Sequence, residues 1–186
     1  MSIIKIRDHI ENTPSRKDFK MARWITEEEA QVLVDLLKRS EAATCFESGT
    51  ANGYSALCMA ETGATVYTYD PYDRTKVWDL LPLEEKERIH YYRANFQRGA
   101  PQILQNRAYS KPLFFFIDGD HRYSGVTRDF RAIEPFLVSG DVLVFHDLQM
   151  NSVSKAFESI EERVQGTVEK FDDLDRKMRA IFYYGK

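Results

Sequence analysis

Residues 113–117, Leu-Phe-Phe-Phe-Ile, form an unbroken apolar run that follows Pro112 and ends at Asp118. A strand with one face in water alternates apolar and polar residues, so a run without a polar member reads as a strand buried on both faces. Such a strand belongs in a sheet covered by helices on each side, and the chain around it should alternate strand with helix. It does. Residues 43–47, 64–70, 90–93 and 141–146 read as further strands, with 64–70 (Ala-Thr-Val-Tyr-Thr-Tyr-Asp) the richest in β-branched and aromatic residues. Residues 54–61, 97–106, 126–137 and 152–164 read as helices, and a charged helical stretch around 83–88 precedes the third strand. Residues 168–171 and 178–184 close the chain as two strands, and the short gap between them favours an antiparallel pair. The expectation is an α/β domain, doubly wound, with a mainly parallel seven-stranded sheet, an antiparallel C-terminal strand, helices on both faces and right-handed crossovers.

Ahead of these strands, Thr26-Glu27-Glu28-Glu29 is a capping box, and Ala30, Val32, Leu33, Leu36 and Leu37 give the helix that follows one apolar face. That helix should end near Arg39, while residues 1–25 are polar and mixed and carry no pattern that assigns them. A length of 186 residues suits a single domain, with 1–42 as an N-terminal helical extension and 43–186 as the core. Lys and Arg total 26 against 29 Asp and Glu, so the basic excess of a nucleic-acid binder is missing. No segment approaches the ~20 apolar residues of a membrane span, and the first residues lack the apolar core of a signal peptide. The cytoplasm, without membrane or nucleic-acid partners, is the expectation. Cys45 and Cys58 lack C-x-x-C spacing and read as small buried hydrophobes.

In a parallel sheet, ligands bind beyond the carboxyl ends of the strands near the point where strand order reverses. The first strand ends in Glu47-Ser48-Gly49-Thr50-Ala51-Asn52-Gly53-Tyr54-Ser55, where the glycines permit a tight turn and helix N–H groups face a ligand. The second ends in Asp70, 21 residues after Gly49, placed to accept from both hydroxyls of a ribose. Together these point to a nucleoside-containing cofactor. The dinucleotide pattern G-x-G-x-x-G is not met, because its second and third glycine places hold Ala51 and Tyr54.

An acid-x-Gly turn followed by a ribose-binding acid resembles the class I methyltransferases, which bind S-adenosylmethionine on this kind of Rossmann-like sheet. The resemblance runs from about residue 43 to the C-terminus and includes the family's closing antiparallel strand, for which 178–184 is the candidate. It implies that Glu47, Gly49 and Gly53 wrap the methionine part of the cofactor, with Asn52 and Ser55 among the other cofactor contacts, that Asp70 holds the ribose, and that Arg93-Ala94-Asn95 borders the adenine, with Asn95 the contact. A sharper likeness lies in Phe116-Ile117-Asp118-Gly119-Asp120-His121-Arg122-Tyr123-Ser124-Gly125-Val126, followed by Gly140-Asp141-Val142-Leu143-Val144-Phe145-His146-Asp147. These two blocks look like class I methyltransferase family 24, which is similar in style to antibiotic-pathway sugar O-methyltransferases and cephalosporin-hydroxylase-like proteins. The implied reaction is methyl transfer to a hydroxyl oxygen of a small molecule of sugar or phenolic type.

His121 and His146 are the natural proton acceptors, because imidazole titrates near neutrality. With Asp118 they form the candidate catalytic set. Asp118 and Asp147 also match acids that the resembled catechol-type and sugar enzymes use to hold magnesium, and His146 stands where a further carboxylate is expected. Asp118, His146 and Asp147 are thus a candidate metal set for magnesium, manganese or another divalent ion, with imidazole favouring manganese, zinc or iron over magnesium. A metal-free site with His121 as base is the competing form. Asp118 and Asp120 are counted among the cofactor contacts, although Asp120 also suits a loop bond.

Three other readings compete. Amino-group methylation needs an [Asn/Asp]-Pro-Pro-[Tyr/Phe] motif after the fourth strand, where this chain has Asp118-Gly119-Asp120-His121. An NAD-dependent oxidoreductase is weakened by the glycine spacing, and a non-catalytic S-adenosylmethionine-binding module would share the same pocket. Residues 1–25 and 72–83, the latter with Trp78, are the candidates for covering an acceptor, and the aromatic Phe182, Tyr183 and Tyr184 suggest a homodimer.

Overall fold

The computed structural model describes residues 25–74, 86–106 and 109–185. Trp78, residues 83–85 of the expected helical stretch at 83–88 and the N-terminal segment up to residue 24 lie outside the described residues. Helix α1 (Glu27–Ser40) begins at the expected capping box: Thr26 Oγ1 accepts from the Glu29 N–H at 3.2 Å, and Glu29 Oε2 accepts from the Thr26 N–H at 2.6 Å. Three glutamates in its first turn and Lys38 and Arg39 in its last complement the helix dipole.

The core then runs β1 (Thr44–Ser48), α2 (Tyr54–Ala60), β2 (Thr65–Tyr69), β3 (Ile89–Tyr92), α3 (Phe96–Asn106), β4 (Leu113–Ile117) and α4 (Tyr123–Ile133). It ends with β5 (Val142–Phe145), α5 (Asn151–Glu161), β6 (Gln165–Phe171) and β7 (Met178–Gly185). The strands form one seven-stranded sheet in the order β3-β2-β1-β4-β5-β7-β6. Strands β1 to β5 are parallel, and β7 runs antiparallel to both β5 and β6. The expected doubly wound sheet with a reversed C-terminal strand is therefore what forms. Helix α4 starts three residues earlier than expected and gives way to a 3-10 turn at Glu134–Phe136, where Pro135 has no N–H to continue the ladder.

The apolar run that suggested double burial is buried at every position. Phe114 and Phe116 pack on the face covered by α1 and α2, with Leu33, Leu37, Leu57 and Met59. Leu113, Phe115 and Ile117 pack on the opposite face, with Phe96 of α3, Phe130 of α4 and Phe157 of α5. Chain order reverses between β1 and β4, so the polar residues leaving these two strands meet at the switch point. Among the described residues, no helix is long and apolar enough to cross a membrane.

One buried carboxylate ties the centre of the sheet together. Asp141, fully buried just before β5, accepts from the Leu113 N–H at 2.7 Å, the Val138 N–H at 2.9 Å and Lys111 Nζ at 3.0 Å. Replacing it with alanine leaves two backbone donors without a partner. We expect Asp141→Ala to lower the unfolding free energy by about 2–4 kcal/mol in urea titrations. An unchanged midpoint would show that water reaches these donors.

Candidate functional site

The turn after β1 lies against the turn after β4, backbone on backbone. Gly49 sits at φ +96°, and a Cβ there would fall 2.5 Å from the Asp118 carbonyl oxygen and 2.8 Å from Gly119 Cα. No other residue fits both the angle and the gap. The Asp118 N–H donates to the Ser48 carbonyl at 3.0 Å and the Gly49 N–H to the Tyr69 carbonyl at 2.9 Å, so the ends of β1, β2 and β4 are stitched together. Over this junction opens a cleft of about 1150 Å³.

Gly49, Asp70, Asn95, Asp118 and Asp120, all expected at the cofactor, line that cleft. Asp70 accepts from the Ala51 N–H at 3.1 Å and the Tyr72 N–H at 2.9 Å, and pairs with Arg74 Nε at 3.0 Å. Asp120 is gripped by Arg122 through Nε at 2.8 Å and Nη2 at 2.7 Å. That guanidinium holds the Asp120 carboxyl below its ordinary range.

Glu47, Asn52, Gly53 and Ser55 do not line the cleft. Alternation along β1 sends Ser48 towards α4 and Glu47 to the other face, where it is fully buried. There Glu47 accepts from Ser55 Oγ and from Thr68 Oγ1, the latter at 2.5 Å, and burial pushes its carboxyl up to about 8. Glu47 and Ser55 hold the turn from below, and Gly53 starts α2 at φ +75°.

Asp129 belongs to the cleft and was not anticipated. It accepts from Ser48 Oγ at 2.6 Å, and burial pushes it up to about 6. The signal for it was present: Asp129 shares the inward face of α4 with Val126, Phe130 and Ile133, a spacing at which a carboxylate needs a reason to be buried.

At the far end of the cleft, Asp118, His121, His146 and Asp147 converge from two strand ends. His121 Nε2 lies 2.9 Å from Asp147 Oδ2 and 3.5 Å from Asp118 Oδ1, yet meets neither at an angle that makes a hydrogen bond. His146 Nδ1 lies 3.1 Å from Asp118 Oδ1 and 3.6 Å from Asp147 Oδ2. His121, with a 41% exposed side chain, reaches the cleft, whereas His146 is wholly enclosed. The expected trio of Asp118, His146 and Asp147 is thus close together but differently presented. Among the described residues, the group whose ligand atoms all lie within 4.8 Å of one another is Asp118, His121 and Asp147.

The reason is again strand alternation. Phe145 faces α5, so His146 faces α1, where its ring meets the edge of Phe116 with centroids 6.0 Å apart. Asp147 then adopts a left-handed φ of +60° that turns it back over the cleft. Contact with Asp118 and Asp147 pushes His121 up to about 9. Burial opposes charge on His146, but the Asp118 and Asp147 carboxylates outweigh it and push the imidazole up to about 12. Burial likewise works to raise Asp147, and the two imidazoles overcome it, holding this carboxyl well below its usual range.

The sequence profile of a family described as a methyltransferase domain matches residues 46–148. Solved structures share the architecture at low identity. An O-methyltransferase from Bacillus cereus in complex with S-adenosylhomocysteine is 16% identical, with a TM-score of 0.69 over 97% of this chain and 90% of that one. An S-adenosylhomocysteine-bound methyltransferase from Podospora anserina is 13% identical, with a TM-score of 0.74 over 96% and 87%. The O-methyltransferase TomG from Streptomyces achromogenes, involved in tomaymycin synthesis and in complex with S-adenosylmethionine, is 15% identical, with a TM-score of 0.69 over 97% and 89%. Among proteins with curated descriptions, none matches.

The buried Glu47 makes a pH-dependent prediction. Its folded value of about 8 exceeds the ordinary 4.5, so between these values the native state binds more protons than the unfolded chain. Stability therefore falls as pH rises through that window. Glu47→Gln removes this linkage, and the comparison with wild type cancels the other titrating groups. Thermal unfolding from pH 5.5 to 8.5 should show a shallower decline in the variant, with roughly equal melting at the acid end. Parallel curves would mean that Glu47 is ionised in the fold.

Proposed function

We propose, from the premise that this chain belongs to the methyltransferase-domain family, that it moves a methyl group from S-adenosylmethionine to a hydroxyl oxygen of a small molecule. The observation that carries this reading is the pairing of two features in one cleft: the Gly49 turn with Asp70 and Asn95, and beside it the Asp118, His121 and Asp147 group. The first suits a nucleoside with an amino-acid tail, and the second suits an acceptor that must lose a proton. The O-methyltransferases among the similar structures support oxygen as the acceptor atom. Tyr54, at the place of the third glycine in the dinucleotide pattern, is buried in the first turn of α2, which speaks against NAD.

In this reading Asp70 accepts from the ribose hydroxyls, with Arg74 giving up the carboxylate, and Asn95 borders the adenine. S-adenosylmethionine, when bound, supplies an electrophilic methyl group. Holding the acceptor oxygen in line with it contributes much of the rate. His121 is the imidazole that lines the cleft among the described residues, placed to meet the acceptor hydroxyl. Tyr72 and Met150, 69% and 40% exposed at the cleft, favour a phenolic or sugar ring that can lie against them.

The donor set fits a divalent metal. His121 Nε2 is enclosed without a hydrogen bond while facing two carboxylates, an arrangement suited to a shared cation. Asp118, His121 and Asp147 would hold it, and it would lower the pKa of the acceptor hydroxyl. The imidazole favours manganese, zinc or iron over magnesium. Without a metal, His121 can take the hydroxyl proton only after losing its own, so that form gains activity as pH rises towards about 9, and metal dependence separates the two forms. The free, buried Cys45 and Cys58 accord with the reducing cytoplasm. Of the C-terminal aromatics only Tyr184 is exposed, so a homodimer would rest on that residue.

Calorimetry should find tight S-adenosylhomocysteine binding that Asp70→Ala abolishes, with no heat from NAD. On a panel of phenolic and sugar acceptors, His121→Gln should lower kcat by about 10²–10⁴-fold and leave S-adenosylhomocysteine affinity intact. Binding without turnover on any acceptor would favour a non-catalytic module. Silence from S-adenosylhomocysteine would sink the reading altogether.

A further inference from the structure

The enclosed His146 has a second neighbour, which comes from outside the segment that matches the family. Its Nε2 lies 3.3 Å from Oε2 of Glu29, in the first turn of α1. Both side chains are fully buried. Glu29 is itself clamped: Oε2 accepts from the Thr26 N–H at 2.6 Å, and Oε1 from the Arg176 N–H at 2.8 Å. Arg176 belongs to the turn between β6 and β7, so one carboxylate joins α1, that turn and the end of β5.

A capping box is served equally well by glutamine, so capping does not explain a carboxylate here. Burying that charge is unfavourable unless an opposite charge or several donors meet it. Glu29 has both: two backbone N–H groups donate to it, and the His146 imidazole stands 3.3 Å from the same carboxylate without the angle of a hydrogen bond. The two oxygens of a carboxylate accept both N–H groups and keep a negative charge beside the ring, whereas an amide has one acceptor oxygen and two hydrogens of its own. The imidazole has two ring nitrogens, and each faces a carboxylate: Nε2 faces Glu29 and Nδ1 faces Asp118.

We propose that Glu29 is a positioning residue: its buried carboxylate, 3.3 Å from Nε2 of His146, holds the ring with Nδ1 turned to Asp118 and Asp147. The inference rests on the reading above that these carboxylates and His121 hold a divalent cation. His146 is the outer partner of a carboxylate that would hold the ion, Asp118; losing an outer partner of this kind lowers metal affinity by about 10–100-fold, and Glu29 acts through it. Formation of the cation site thus depends on the N-terminal helix, although every group that would touch the ion lies in the core.

The test compares Mn²⁺ binding, followed by electron paramagnetic resonance, in the full chain, in Glu29→Gln and in Thr26→Ala. Thr26→Ala removes the cap hydroxyl and leaves the carboxylate. Glu29→Gln should bind Mn²⁺ roughly 10–100-fold more weakly, with S-adenosylhomocysteine affinity unchanged by calorimetry. Its His146 ring nitrogens should also shift in ¹⁵N spectra of the metal-free chain. Thr26→Ala should lower the melting temperature and bind Mn²⁺ like the wild type. Equal Mn²⁺ affinity in wild type and Glu29→Gln would overturn the proposal alone. An equal loss in Thr26→Ala would also overturn it, since helix docking would then be the cause. A wild-type chain that binds no Mn²⁺ would remove the cation reading and this inference with it.

Discussion

Where Gly49 touches the Asp118–Gly119 backbone, there is no room for a side chain, and the spacing of the whole site follows from that contact. The turn after β1 carries the Gly49 and Asp70 end of the cleft, and the turn after β4 carries the acid and imidazole end. Their separation is set by a hydrogen bond between backbones rather than by flexible side chains, Asp118 to Ser48, while Gly49 to Tyr69 ties the first turn to β2. Backbone contacts of this kind keep two chemical centres in register without restricting what either can bind. The sheet beneath supplies the stiffness, because β1 and β4 are buried at every position.

Charge is managed differently at the two ends. Glu47, beneath the turn, has hydroxyl donors and, among the described residues, no cation at hand, so burial drives it towards its neutral form. Glu29, Asp118 and Asp147 are enclosed with two imidazoles, and all three carboxyls sit below their ordinary values although burial alone would raise them. Such a group of alternating charges is stable only as a unit, since removing one member strands another in a medium that solvates it poorly. It also explains how α1, outside the alternating βα units, comes to be anchored to the core by a polar contact as well as by Leu33 and Leu37.

Asp129 and Arg74 extend this picture to the walls of the cleft. Asp129 gains a hydroxyl from Ser48, and Arg74 occupies the Asp70 carboxylate. Both residues come from elements far in sequence from the strand ends they touch, or from a stretch with no regular structure. Their participation is a matter of which face of a helix, or which side of a loop, the fold brings to the switch point.

Much was legible before any coordinates. The apolar run 113–117 implied a strand buried on both faces, the strand and helix periods implied the doubly wound sheet, and the polar residues at the strand ends marked the cleft. Asp70, Asn95, Asp118, Asp120 and Gly49 were found this way, because a strand end is a place that sequence pattern alone identifies. Pattern does not say which way a side chain turns once the strand has ended. Glu47 lies under the turn rather than in the cleft, because alternation along β1 puts it on the far face of the sheet. His146 lies behind the acid group rather than within reach of the cleft, because β5 turns it towards α1. The parts, their order and their chemistry were set by local periodicity and composition. The face each part presents, and the meeting of Glu29 with His146 across 117 residues of chain, were decided only by packing, since those contacts are formed between elements that no local pattern connects.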